Sequence, residues 1–526
     1  MAQNLTAERE NTQHNNGITS KVVGGSLWNI GGQMAVMTAS LLATSFVIRL
    51  LGTELYGVWA LIVLIIGYAT QGDFGMGIAS TRFGSQAFAQ DDGNGESRII
   101  WTAFGIAMIP SLLVSASLLI FAKPLINDAL KIPVYLQSQA YWALVLAAFC
   151  FTFRVAGNIF NTPQIVRLRM DINASIVSGL IVLQVLITPL AIWMWGGLFP
   201  AAVTVTVCSF LTLILLFIAS QRLLPGLKHP KIDFTLAKPM IRFGGSLLLS
   251  SAAGIILGTI EKPLLARYAS VTTLAHYAVA TTLANVMSVF PIAVSQSLLP
   301  AFTRLYTSGD KTALKALYNR AIRGNLLWVL PMAFFLCIIA KPFFTLWAGE
   351  EFGRAATTPL YILVVGLVID VFSYVPYILL QASGRATVIM KIYWLQMIPY
   401  ILLLIFLTSF YGAEGAAAGL SLKILIDAVI FFLFIKPILG TVSDSFLSIG
   451  IWYWGAASFC IIAAFLLVNF VSSLILLALF SIGVIILYFV IILTKILKSD
   501  EKAWISFKIK PLWVSVYSRF ATEKNA

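Results

Sequence analysis

Two stretches of this chain run for fifty residues without a charged side chain, Ile172 to Gln221 and Ser445 to Thr494. Spanning hydrocarbon as a helix takes about 20 mostly apolar residues, so each stretch is twice the length of one crossing. Nothing in water keeps such a run unfolded or covers it cheaply. Each is therefore predicted to be a helical hairpin within a bilayer. The rest of the chain agrees: 59% of its 526 residues are hydrophobic and 11% charged, and the mean hydropathy is +0.92. A polytopic all-α membrane protein is the fold class this implies.

The length rule places about fourteen spans, near 26–49, 57–79, 99–122, 139–161, 172–195, 198–219, 245–268, 274–302, 325–347, 356–382, 387–410, 414–436, 447–469 and 473–494. The first 20 residues are polar, without the apolar centre of a cleavable signal, so the first span is expected to be the anchor. Most of the 35 Lys and Arg fall on the side of the N-terminus, which makes that side cytoplasmic and puts both ends there. Arg49, Lys123, Lys131, Lys262, Arg267, Lys341 and Arg354 fall on the other side. The basic loop at 221–243 and the loop after span eight read as topology signals in contact with anionic lipid. The C-terminal KAWISFKIKPLWVSVYSRF reads as an interfacial segment. These segments account for the formal charge of +14, so no nucleic-acid surface is implied.

GGSLWN at Gly24 returns as GGSLLL at Gly244. The chain thus reads as an N-terminal tail (1–23), a six-helix lobe (24–220), a basic linker (221–243), a second six-helix lobe (244–437), two extra helices (438–497) and an interfacial tail (498–526). Parallel repeats of this kind are a transporter architecture.

Several chemistries find no support. The Asp-Phe-Gly at 73–75 follows an apolar run instead of a kinase catalytic loop. The four cysteines (150, 208, 337, 460) stand in apolar stretches at no metal spacing and read as core residues. No phosphate-binding Gly-Lys-Ser/Thr loop is present, no cofactor is implied, and ATP is not the expected source of energy.

Polar groups recur on single faces of the spans. Asn29, Gln33, Ser40 and Thr44 share a face of span one, and Arg154, Asn158 and Asn161 share one of span four. Span eight has Thr281, Asn285 and Gln296; span ten Asp370, Tyr374, Tyr377 and Gln381; span eleven Tyr393, Gln396 and Tyr400. Interhelical hydrogen bonding in a dry bundle is one reading of any single stripe. Arginine, aspartate and several amides along five spans point instead to a water-filled cavity. Lys423 and Asp427, four apart on one helix face, are expected to pair with each other.

GGSLWNIGG at 24, VIRLLGTELYGVW at 47, GDFGMGIASTRFGSQ at 72 and FYGAEGAAAGLSL at 410 together resemble the polysaccharide-unit (O-antigen, Wzx-type) flippases of the multidrug/oligosaccharidyl-lipid/polysaccharide exporter superfamily. That resemblance implies a bacterial cytoplasmic-membrane protein, not an enzyme, which turns polyprenyl-diphosphate-linked sugar units to the outer leaflet. Its partners would be the lipid-linked glycan, membrane lipids and polysaccharide polymerase machinery. The expected diphosphate and sugar contacts are Arg49, Asp73, Arg82, Arg154, Asn158, Asn161, Arg267, Tyr374, Tyr377, Gln381 and Gln396. Arginine suits a diphosphate because its planar fork donates paired hydrogen bonds. Arg49 and Arg267 have a second reading as interfacial anchors, and Asp73 as one half of a local ion pair. Asp370, with no cation within a turn of its own helix, and Glu261, two residues before Pro263, are the expected ion-coupling acids. A multidrug cation antiporter of the same superfamily is the alternative, followed by a membrane glycosyltransferase or polymer ligase.

Overall fold

A computed structural model describes residues 2–68, 73–167, 169–439 and 474–491; side chains are placed from residue 31 onward, with gaps. The expected segment 498–526, span 447–469, Cys460 and the side chain of Asn29 lie outside the described residues, as does the side chain of Gln296. Every regular element among the described residues is helical, and eight helices are long and apolar enough to cross a membrane.

The chain runs through α1 (Ala2–Gly67), α2 (Met76–Ala89), α3 (Gly93–Ile120), α4 (Val134–Phe160), α5 (Thr162–Val166), α6 (Met170–Trp195) and α7 (Leu198–Leu223). It continues with α8 (Phe234–Leu257), α9 (Glu261–Tyr268), α10 (Val271–Ala284), α11 (Val289–Thr307) and α12 (Lys311–Ala348). Last come α13 (Glu350–Ala355), α14 (Thr357–Ala382), α15 (Ala386–Leu439) and α16 (Leu474–Ile491).

The charge-free run at 172–221 does fold as a hairpin. α6 ends and α7 begins at Gly196 and Gly197, with φ of 70° and 75°, a conformation that a side chain disfavours and glycine adopts freely. α15 doubles back in the same manner at Gly412 (φ 53°). A Cβ on Gly415 would lie 2.0 Å from the Leu407 carbonyl oxygen, and one on Gly419 2.6 Å from Leu404. A straight helix would separate those residues by about 12 and 22 Å, so the two arms lie against each other. α1 departs from helical geometry at Gly52 (φ 77°).

Other expected spans are interrupted. Residues 245–268 divide at Gly258–Ile260 into α8 and α9. Pro263 therefore sits in the first turn of a new helix, where its missing N–H is no loss. Residues 274–302 divide at a 3₁₀ turn, Asn285–Ser288.

The described chain forms two compact units. The first gathers residues up to Leu283 with 345–359 and 386–420. There α1 packs on α6, and α4 on both α7 and α3. Its core holds Met76, Ile100, Phe151, Val155 and Ile159, beside a ring cluster in which Trp101, Phe104, Phe160 and Phe217 meet with centroids 4.9–6.4 Å apart. The small residues Ala103, Ala107, Ala143 and Ala147, all but absent from the surface, allow the close approach on which helices in lipid depend. The second unit gathers 284–344, 360–385 and the residues from 421. In it the Tyr488 hydroxyl of α16 donates to the Leu326 carbonyl of α12.

Candidate functional site

Within the first unit, α4 carries Arg154 and Asn158, and Asn161 follows at its C-terminal end. The Arg154 guanidinium donates from Nε to Ser209 Oγ on α7 (3.1 Å) and from Nη2 to Gln184 Oε1 on α6 (3.3 Å). Ser209 in turn meets Cys150 Sγ at 3.1 Å. Both partners of the guanidinium are neutral, so they orient the cation without cancelling its charge. Asn158 is half-buried. Asn161 follows α4, its Oδ1 buried and without a hydrogen-bond partner among the described residues. Cys150 and Cys208 are buried thiols.

The other candidate arginines are engaged differently. Arg49 donates to the Leu346 carbonyl (2.7 Å) and borders a cavity of about 570 Å³ with Leu42, Phe46, Leu186, Leu190 and Trp193. Arg267 donates to the carbonyls of Asp128 and Ala129, the latter at 3.0 Å. Arg49 thus ties down the last turn of α12, and Arg267 the segment between α3 and α4. Arg82 lies exposed over the Phe243 ring, 4.3 Å from its centroid. Asp73 is buried, and its carboxylate accepts from Gly75 N–H (2.9 Å) and Gly77 N–H (3.0 Å). It caps the start of α2, an Asp-x-Gly signal that the sequence already contained.

Glu261, at the start of α9, is 2% exposed. It acts electrostatically on the hydroxyls of Tyr68 and Tyr277, and Tyr400 acts on Tyr277. Two tyrosine hydroxyls thus lie within electrostatic reach of this carboxyl group, Tyr68 just after α1 and Tyr277 on α10, and Tyr68 also bonds Thr259 (2.7 Å). Gln396 stands half-buried on the first arm of α15, with neither amide atom partnered among the described residues.

The second unit holds Asp370. Its carboxylate accepts from Ser373 Oγ (3.0 Å) and lines a cavity of about 130 Å³ with Ser288, Asn325 and Tyr374. The cavity has room for several waters, and these four are the polar residues of a lining that is otherwise apolar. Tyr374 and Tyr377 stack at 6.4 Å with an interplanar angle of 17°, and Gln381 Nε2 donates to the Tyr377 hydroxyl (3.0 Å). Lys423 and Asp427 form the expected pair at 2.7 Å, both nearly buried. Both also act electrostatically on Asp370. A cation absent from Asp370's own helix is thus supplied by α15.

A buried ion pair and a histidine–carboxylate contact escaped sequence reading. Glu96 on α3 meets Arg167, after α5, through paired hydrogen bonds of 2.6 and 2.8 Å. His276 Nε2 lies 3.3 Å from Glu351. Glu96 stands in the polar stretch DDGNGESR just before the expected third span, where nothing in the sequence signals that it is buried or needs a partner.

Residues 46–357 match the family described as polysaccharide biosynthesis protein. The chain belongs to that family. Among its relatives, the chain is 22% identical to a putative O-antigen transporter of Shigella flexneri over 417 residues, covering 78% of this chain and 96% of that one. It is 24% identical to the membrane protein EpsK of Bacillus subtilis over 364 residues, 63% of this chain and 66% of that one. The fold is that of the lipid II flippase MurJ in an inward closed conformation, with a TM-score of 0.68, 13% identity, and coverage of 89% of this chain and 98% of that one. An inward-facing multidrug resistance transporter of the MATE family, in the MOP superfamily, shares it with a TM-score of 0.61, 14% identity and coverage of 80% and 96%.

Proposed function

We propose that this chain is a flippase of the MOP superfamily that carries polyprenyl-diphosphate-linked oligosaccharide units from the inner to the outer leaflet of a bacterial cytoplasmic membrane, for surface polysaccharide synthesis. It acts as a transporter and not as an enzyme, with both termini cytoplasmic and a polysaccharide polymerase downstream. Membership of a polysaccharide biosynthesis family and the fold shared with MATE and MurJ transporters support this reading. The observation that carries it is Arg154: a guanidinium inside a membrane-spanning unit, oriented by the neutral groups of Ser209 and Gln184, is suited to receive a phosphate. Asn158, Asn161 and Gln396 would add hydrogen bonds to sugar hydroxyls. Arg49, Arg82 and Arg267 would meet the diphosphate nearer the two membrane surfaces, and Tyr374, Tyr377 and Gln381 would offer a stacking and hydrogen-bonding wall. Asp73 contributes by holding α2 in place.

The repeat-related lobes 24–220 and 244–437 would open alternately to the two sides, with the pair 438–497 appended and the segments 221–243 and 498–526 on the inner surface. Transport would draw on an ion gradient or the membrane potential, with Asp370, set beside Lys423 and Asp427, as the first coupling acid and Glu261 as the second.

The test is a leaflet-orientation assay in proteoliposomes with a fluorescent polyprenyl diphosphate sugar. The wild type exposes the label to an external quencher or oxidant over time, Arg154→Ala does not, and Arg154→Lys recovers part of the rate. Extrusion of organic cations with no movement of the lipid-linked sugar would replace this reading by the antiporter one.

A further inference from the structure

Of the described cavities, one has a strongly one-signed lining. It measures about 680 Å³ and is walled by Arg82 and Phe83 of α2 and by Lys238, Arg242 and Phe243 of α8, with Thr235 at its edge. Three cations face it and no acid lines it. The nearest carboxylate in sequence, Asp233, is already occupied: it accepts from Thr235 N–H (3.0 Å) and lies 3.7 Å from Arg98. The Thr235 hydroxyl bonded to it holds its carboxyl below the usual carboxylate range, so it stays ionised in place and α8 stays capped.

The walls are fixed. A Cβ on Gly75 would fall 2.4 Å from the Gly244 carbonyl oxygen, and one on Gly244 2.3 Å from Met76 Cε. α2 and α8 are thus in backbone contact at one end, and the cleft opens from that point. Phe83 and Phe243 meet edge to face at 6.3 Å, and the Arg82 guanidinium lies against both rings, at 5.7 and 4.3 Å. Stacking holds the plane of the guanidinium while leaving its N–H edge free to donate.

The cleft also stands at a particular depth. Ile232, Phe234 and Ile241 are 53%, 83% and 51% exposed, and alternate with Lys231, Lys238 and Arg242 along the same segment. Exposed apolar side chains interleaved with cations mark a segment that lies at the boundary between acyl chains and headgroups. A ligand there has an anionic head and an apolar tail.

We propose that the α2–α8 cleft is a binding site for the phosphate of an inner-leaflet lipid, gripped by Arg82, Lys238 and Arg242. The site shares Arg82 with the proposed diphosphate contacts but none of the groups around Arg154, and it stands whether or not the chain moves a lipid-linked sugar. It turns a general attraction of the basic linker for anionic lipid into one shaped site that joins the linker to α2. Two inner-leaflet lipids present the required group, an anionic phospholipid and a polyprenyl diphosphate.

The full-length protein in detergent micelles would be titrated with phosphatidylglycerol, with undecaprenyl diphosphate, with dioleoylglycerol and with inorganic pyrophosphate, and bound lipid read by native mass spectrometry. Both phosphate lipids, or one of them, should bind well above dioleoylglycerol, and the stronger names the source. Removing one cation of the cleft should weaken binding about fivefold, the value of one basic residue at an anionic surface, in Arg82→Ala and in Arg242→Ala. Arg242→Lys should retain most of it. Phe243→Leu, which alters no charge, should weaken binding at least twofold through loss of stacking on Arg82. Lys228→Ala, on the same linker but outside the cleft, should behave as wild type. Equal losses in Lys228→Ala and Arg242→Ala would mean a diffuse basic surface and overturn the site, as would pyrophosphate binding as tightly as lipid or an unchanged Arg82→Ala/Arg242→Ala double variant. The leaflet-orientation assay runs independently, so failure of either idea leaves the other testable.

Discussion

Arg167→Met should strand a carboxylate in the interior. Glu96 is wholly buried, with both oxygens bonded to the Arg167 guanidinium at 2.6 and 2.8 Å, while the arginine is 16% exposed in its side chain and lies over the Phe88 ring at 4.8 Å. Removing one partner of a buried pair costs about 3–5 kcal/mol because the other charge is left uncompensated. Two charge-assisted hydrogen bonds at about 1.5–3 kcal/mol each give about 3–6 kcal/mol, an overlapping range. Because the guanidinium keeps some contact with solvent, the lower end, about 3 kcal/mol, is expected for Arg167→Met. Glu96→Gln should be milder, since a neutral amide still accepts one bond from Arg167. The double variant should recover most of the Arg167→Met loss, leaving about 1 kcal/mol; with about 1 kcal/mol for Glu96→Gln alone, the coupling energy in a double-mutant cycle is about 3 kcal/mol. The assay is reversible unfolding of purified protein by sodium dodecyl sulfate in mixed micelles, followed by tryptophan fluorescence. A coupling energy under about 0.5 kcal/mol would refute the reasoning and reduce the pair to the value of a surface salt bridge.

Three further outcomes are expected. Gly57→Ala places a Cβ 1.8 Å from the Val271 carbonyl oxygen, so the variant should lose at least about 2 kcal/mol in the same unfolding assay; wild-type stability would mean that the two backbones are not in contact. Cysteines placed singly at Asn158 and Tyr377, with the four native cysteines replaced, should react with a water-soluble maleimide, and resistance of both in every condition would show their surroundings to be dry. Asp370→Asn should still bind the lipid-linked sugar but fail to turn it over under an imposed proton gradient, and a normal rate with a normal response to that gradient would move the coupling role to Glu261.

How far the sequence reaches depends on how local the determining physics is. A charge-free run of fifty residues has only one way to fit a bilayer, so the turn at Gly196–Gly197 was expected where it occurs, and Lys423 meets Asp427 because one helical turn separates them. The faces of α4 and α14 were likewise legible, since Arg154, Asn158 and Asn161, or Asp370, Tyr374 and Tyr377, share an azimuth on any helix. Their partners were not. Ser209 and Gln184 reach Arg154, and Lys423 comes within electrostatic range of Asp370, only once the rotation and depth of a second helix are fixed. Long-range pairing of that kind is decided by packing, and the Glu96–Arg167 pair, 71 residues apart, shows the same limit. The division of residues 245–268 at Gly258–Ile260 had a local signal, glycine before a polar Thr259, that the apolar average concealed.

The reversal at Gly412 has a practical side. One non-helical residue joins the two arms of α15, and the next turn of helix is already against Leu407, so there is no connecting loop to lengthen. Topology is commonly mapped by inserting a tag or a protease site between predicted spans, on the premise that connections tolerate extra chain. At this connection the insertion itself would pry Gly415 and Gly419 from Leu407 and Leu404. A silent reporter there would record a broken hairpin rather than the side of the membrane on which it lies, and the sidedness of this end of the molecule is better read from single cysteines at Ser409 or Tyr411, which are exposed in the folded chain.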